Sequence, residues 1–227
     1  MQENFCAPTR LDRGERSMGS KPIKIWGRRD SSNVQKVLWC CAELGVSYER
    51  IDLGGRFGGN KEDSYLRLNP NGLVPTMEDD DFILWESNSI VRYLAEKYGR
   101  GRLVPTTPEG RANASRWMDW QLTTVGSSMV PLFWGLIRTP EEKRNRELIE
   151  QALKKANRTW EILNKQLATN SFVAGEEFSI GDVPLGVWVH RWFNLPLERP
   201  NMEHLNTWYG RLVGRVAYQT HVMIPLT

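Results

Sequence analysis

The chain has 227 residues, 40% of them hydrophobic and 25% charged, with a formal net charge of +3. That length holds one large domain or two small ones around a real core, in the proportions of an ordinary globular protein. The small net charge, with basic residues interleaved among acids, argues against a nucleic-acid surface, and no apolar run reaches the length of a membrane span.

In chain order, the opening MQENFCAPTRLDRGERSMGS is polar and aperiodic, so residues 1–20 read as a disordered leader rather than a secretory signal. PIKIWG reads as a strand. SSNVQKVLWCCAELG reads as a helix, because Val34, Val37, Leu38, Cys41 and Leu44 recur at helical spacing before Gly45. VSYERIDL is a second strand, and strand–helix–strand with short joints implies a right-handed parallel crossover. A glycine-rich stretch, GGRFGGNKEDSYLRLNP, leaves room for one short helix at most. Next comes a hairpin: Val74-Pro75-Thr76-Met77, an acidic turn, and Phe82-Ile83-Leu84-Trp85. SNSIVRYLAEKYG then reads as a helix capped by Ser87 and stopped by Gly99. The first unit, residues 21–100, is thus βαβ-ββα. A Pro/Gly-rich linker over 101–107 leads into an all-helical unit, 108–227, with helical stretches at 108–135, 140–169, 179–193 and 201–218. Within it, Ser179 caps a helix whose third position holds Asp182, a structural arrangement like a capping box. Cys6, Cys40 and Cys41 are sparse, odd in number and without zinc spacing, so a reducing cytoplasmic compartment is expected and a metal is not; His190, His204 and His221 are scattered.

On the residues alone, Pro75 begins an edge strand, where its missing N–H costs nothing. Ser87 is a helix N-cap, and an uncovered helix start is also an anion site. In order and spacing, NPNGLVP, ESNSI and FSIGD, set on an α/β thioredoxin-like unit followed by an all-α unit, resemble the cytosolic glutathione transferases of the bacterial, serine-type, theta- or nu-like kind, over roughly residues 22–220. The resemblance implies a cis Val74–Pro75 bond that turns the Val74 backbone toward glutathione, with Leu73, Val74 and Pro75 along the peptide and Glu86 and Ser87 at its γ-glutamyl end. Many relatives carry Lys or His before the proline to hold the glycyl carboxylate. This chain has Gly72 and Leu73 there, and Arg28, Arg56, Lys61 and Arg67 are the substitutes within reach.

A transferase needs thiolate, and a thiol with a pKa near about 8.5 is mostly protonated at neutral pH. A hydroxyl donor and a helix N-terminus can supply the roughly 2.7 kcal/mol needed to lower it by about two pH units. The turn RRDSSNVQKV offers Ser31, Ser32 and Asn33. The resemblance assigns Ser31 to the thiolate with Asn33 assisting, and Ser32 stands next. Cys40 lies nine residues beyond Ser31, roughly 13 Å along a helix, too far for a cysteine mechanism.

On the first helical stretch of the second unit, Trp117, Trp120, Met129, Phe133 and Trp134 are core by spacing. The resemblance implies that this helix lines an apolar second-substrate pocket, for which Trp117, Trp120, Phe133 and Trp134 are the candidates. The function implied is a cytoplasmic, homodimeric detoxification enzyme that adds glutathione, as co-substrate, to a small apolar electrophile. Glutathione-dependent disulfide or peroxide reduction and a non-catalytic binding protein are the alternatives.

Overall fold

The computed structural model describes residues 22–99 and 101–227; the leader expected over 1–20 lies outside the described residues. Four strands, β1 (Ile23–Trp26), β2 (Tyr48–Ile51), β3 (Thr76–Asp79) and β4 (Phe82–Trp85), form one sheet in the order β2-β1-β3-β4. β1 and β2 run parallel, and β3 pairs antiparallel with both β1 and β4. Alternation sets the faces: Ile23 and Ile25 point into the core, and Ile25 lies opposite the equally buried Met77.

The crossover helix α1 (Ser32–Leu44) is buried almost all round: Val34, Val37, Leu38, Cys41 and Leu44 share one face, and Gln35, Lys36, Trp39 and Cys40 beyond it are buried too. It ends at Gly45, whose left-handed φ of 70° lets its N–H reach the Ala42 carbonyl, while Val46 N–H reaches Cys41. The glycine-rich stretch holds one short helix, α2 (Asp63–Leu66), after a 3-10 turn.

Helix α3 (Ser87–Tyr98) begins one residue earlier than a Ser87 cap requires. Glu86, with φ 74°, precedes it, and Ser87 is its first helical residue. The Ser87 hydroxyl therefore faces a neighbouring helix instead of its own amides. Asp79 ties β3 to this helix, accepting from Tyr93 and Lys97 at 2.8 Å and from Tyr98 at 2.5 Å. Burial opposes its charge, but the hydrogen bonds from Lys97, Tyr98 and Tyr93 outweigh that and hold its carboxyl at about 2. A carboxyl depressed from an unfolded value near about 3.9 contributes about 2 kcal/mol above that pH, and loses it as pH falls toward 2. Denaturant unfolding between pH 2 and 7 is expected to show this acid limb, and Asp79→Asn to flatten it while lowering neutral-pH stability by the same amount.

The second unit is all-helical. The stretch expected at 108–135 is α4 (Pro108–Trp120) and α5 (Gly126–Phe133), joined by a π-turn at Gln121–Val125 and followed by another at Trp134–Arg138. Thr107 caps α4 by accepting from Gly110 N at 3.0 Å, with Pro108 in the first position. Asn145 caps α6 (Arg146–Leu167), which fills the 140–169 stretch. α7 (Asp182–Asn194) follows. The single stretch expected at 201–218 is two helices, α8 (Glu203–Val213) and α9 (Val216–His221). They part at Gly214-Arg215, where the Arg215 guanidinium covers the Phe178 ring and ion-pairs with Glu43 at 2.7 Å.

Both units share α1 as a wall. The Trp39 ring lies so close to Gly186 of α7 that a Cβ there would sit 2.7 Å from it. Tyr218 meets Trp39 edge-on at 4.7 Å and donates to the Gly186 carbonyl at 2.7 Å.

Candidate active site

Where the N-terminus of α1 faces α5, the π-turns on either side of it and α7, a cleft of about 590 Å³ opens. Its floor on the sheet side is the turn between β1 and α1, which carries Ser31, and the first residues of α1, Ser32 and Asn33. That turn runs close against the Val74–Pro75 loop: a Cβ on Gly27 would fall 2.5 Å from Val34 and 3.1 Å from Val74. Gly27 lets β1 hand the chain to α1 without pushing that loop away.

Ser31 is the residue before α1, with extended φ −71° and ψ 124°. Its carbonyl accepts from Gln35 N at 2.9 Å, yet its hydroxyl makes no capping bond. A largely buried hydroxyl is thus left for something in the cleft, beside the unsatisfied N–H groups of a helix start. Ser32 is half-buried and Asn33 exposed, both on the cleft. Cys40 is fully buried, 3.9 Å from the Val91 carbonyl, and burial pushes its thiol well up. It plays no part in the cleft.

The Val74–Pro75 bond is cis. The Val74 N–H and C=O find no partner among the described residues. The Leu73 side chain is exposed, while its carbonyl is held by Tyr65 Oη at 2.6 Å and Asn69 Nδ2 at 2.9 Å, a brace on the loop rather than an open contact. Behind Ser87 stands a residue that sequence reasoning passed over. Lys36 is fully buried, 3.4 Å from the Ser87 hydroxyl and 2.7 Å from Gln121 Oε1, two neutral partners. Burial drives its pKa down to about 7, Glu86 raises it and Arg191 lowers it. Its signal in the sequence was a lone lysine in an apolar helix stretch, with Val34 before it and Val37 and Leu38 after it.

The helical wall corrects the expected second-substrate residues. Phe133 and Trp134 line the cleft; Trp117 and Trp120 do not. Trp117 is buried and packs edge-on against Trp120 at 5.1 Å, both on α4, which contributes no residue to the cleft lining. The face that lines it runs Leu122, Gly126, Val130 and Trp134, at intervals of four residues, joined by Trp188 and Arg191 of α7. That register was legible as an apolar and small-residue stripe once the helix start was known. Of the substitutes considered for a basic anchor, Arg28 and Arg56 line the cleft, whereas Lys61 turns to the Asn71 carbonyl at 3.3 Å. Ser179 and Asp182 lie apart from the cleft in the buried start of α7.

Comparison with known proteins agrees with this geometry. Residues 21–96 match the family model described as glutathione S-transferase, N-terminal domain, and residues 146–211 the one described as glutathione S-transferase, C-terminal domain. The chain is 41% identical over 207 residues to glutathione S-transferase GstB of Escherichia coli, covering 90% of this chain and all of that one. It is 28% identical over 204 residues to glutathione S-transferase F11 of Arabidopsis thaliana, covering 87% of this chain and 95% of that one. Among solved structures, the theta class glutathione S-transferase of Xanthomonas axonopodis pv. citri with glutathione bound superposes with a TM-score of 0.88 at 48% identity, over 90% of this chain and 99% of that one.

Proposed function

This chain belongs to the glutathione S-transferase family, and on that premise we propose how its cleft activates glutathione and what it joins to it. The chemistry is conjugation: glutathione is the co-substrate, and its thiolate is transferred to an electrophile. In our reading Ser31 donates its hydroxyl to the sulfur, with Asn33 and the amides at the start of α1 assisting and Ser32 beside them. The observation that carries this is the Ser31 hydroxyl, buried at a helix N-terminus in the cleft and unused as a cap. The Val74 backbone pairs with the cysteinyl unit as an added strand would. Glu86 meets the γ-glutamyl ammonium, and Ser87 with the first amides of α3 meets its carboxylate. Arg28 and Arg56 are the groups in the cleft suited to the glycyl carboxylate.

Lys36 completes the γ-glutamyl end. The buried ammonium hydrogen-bonds only to neutral groups, with Glu86 as the opposite charge acting on it, and the carboxylate arriving at Ser87 supplies a directly paired one. Lys36→Met is therefore expected to weaken glutathione binding by about 10- to 100-fold, the value of a hydrogen bond to a charged group. Titration calorimetry checks it, with circular dichroism to confirm the fold. Unchanged affinity would remove Lys36 from the site.

The second substrate sits against Phe133, Trp134 and Trp188, apolar walls for a small apolar electrophile. Turnover of glutathione with 1-chloro-2,4-dinitrobenzene tests the whole reading, and binding without turnover would leave a non-catalytic protein. We further read the protein as a cytoplasmic detoxification enzyme acting as a homodimer, its domain boundary at 101–107. The buried Cys40 thiol supports a reducing compartment. Exposed Phe57, Leu73, Phe82 and Trp85 on the first unit support a partner surface.

A further inference from the structure

Four guanidinium groups reach the cleft, Arg28 and Arg56 from the first unit and Arg138 and Arg191 from the second. The cleft's acid is Asp30, and it is already engaged, by Arg28 Nε at 3.2 Å and by the Thr227 hydroxyl at 2.9 Å. Glutathione brings two carboxylates and one ammonium. If one carboxylate goes to Ser87 and Lys36 and the other to Arg28 and Arg56, Arg138 and Arg191 are left over.

Those two are arranged around one ring. The Arg191 guanidinium lies 4.4 Å from the centre of Phe133, and the Arg138 guanidinium 5.9 Å. Arg191 is 6% exposed, and its Nη2 reaches only the Asp30 carbonyl at 3.1 Å and the Gln35 amide oxygen at 3.4 Å. Its Nε is buried without a hydrogen-bond partner among the described residues. Arg138 and Arg28 act on Arg191 as neighbouring like charges, with Asp30 the opposing one. A largely buried guanidinium beside a second cation is a costly arrangement unless an anion joins it on the side that lines the cleft. Arginine's planar fork is matched to a carboxylate, and the adjacent faces of Phe133, Trp134 and Trp188 are matched to an aromatic ring.

We infer that the second substrate is an aromatic electrophile carrying a carboxylate, its ring against Phe133 and Trp134 and its charge held by Arg191 and Arg138. The inference rests on the glutathione S-transferase reading of the cleft; it keeps the apolar ring of that reading's electrophile and replaces a wholly apolar substrate with one that carries a charge. For a chloroarene the step balances simply. The thiolate sulfur forms a bond to the ring carbon, the carbon–chlorine bond breaks, chloride leaves, and the thiol proton has already passed to solvent.

The test compares 4-chloro-3,5-dinitrobenzoate with its neutral amide, 4-chloro-3,5-dinitrobenzamide, each kcat/KM divided by the uncatalysed rate with glutathione. The benzoate is expected to gain about tenfold more acceleration than the benzamide, the scale of a paired carboxylate in a partly dry site. Arg138→Gln, at an exposed position that leaves the core intact, is expected to lower the benzoate value at least about fivefold further than the benzamide value, chiefly through KM. Arg191→Gln should do the same with a larger effect. Equal acceleration of the two substrates, or an equal fall for both in Arg138→Gln, overturns the inference while leaving the transferase reading intact. Absence of turnover with either substrate overturns both.

Discussion

Ser31→Ala is expected to raise the thiol pKa of bound glutathione by about one to two pH units, since a hydrogen bond to a charged group is worth about 1.5–3 kcal/mol and one pH unit is about 1.4 kcal/mol. An ultraviolet titration of the bound thiolate reads this directly. On the proposed role of Ser31, kcat/KM at pH 6.5 should fall about 10- to 100-fold in the variant, in line with the loss of one anion-stabilising donor. The deficit should shrink as pH rises past about 8.5, where free thiol ionises unaided. Glutathione affinity should change far less than the thiol pKa. A lowered pKa untouched by the substitution would move the role to Ser32, Asn33 or the amides of α1, and Ser32→Ala and Asn33→Ala would then separate the three.

The largest stability effect belongs to Asp182→Ala. Asp182 is fully buried at the start of α7 and accepts from four donors: Val173 N at 3.0 Å, Ser179 N at 2.9 Å, Ser179 Oγ at 3.2 Å and Trp208 Nε1 at 2.9 Å. Burial pushes its carboxyl up to about 6, with these donors pulling the other way. Removing it strands buried donors from three segments at once, so a loss of about 3–5 kcal/mol is expected. For a chain of this size that is a fall in Tm of about 10 °C, measurable by differential scanning calorimetry. Asp182→Asn keeps an oxygen for some of the donors and should cost less. A Tm within a degree or two of wild type would mean that water takes over the carboxylate's place.

The order of strands and helices was legible because each element carries its own period and punctuation. Alternation marks β1, apolar residues at helical spacing mark α1, and Gly45 marks its end. The turn bearing Ser31, and the proline at position 75, could likewise be found from short motifs. What stayed hidden depends on distance along the chain. Lys36 owes its meaning to Ser87, 51 residues away, and to Gln121, 85 residues away. Arg191 meets the Asp30 carbonyl across 161 residues. No local pattern encodes such meetings. Trp117 and Trp120 show the converse, since aromatic content alone could not say which part of the 108–135 stretch lines the cleft. The extra break between α8 and α9 follows from what Arg215 finds in space, Glu43 and Phe178.

Trp39 seated on Gly186 has a consequence for how the protein comes apart. Its indole joins a helix of the α/β unit to Phe178, Tyr218 and the bare backbone of α7, and below it Glu43 is clamped by Arg215. With no side chain on Gly186 there is no slack for the halves to slide or hinge at that point. The floor of the cleft is thus held at a constant spacing, and any breathing must come from its rim. Melted or titrated with denaturant, the two halves should lose structure in a single cooperative event, and either half expressed alone would expose an indole-sized apolar face.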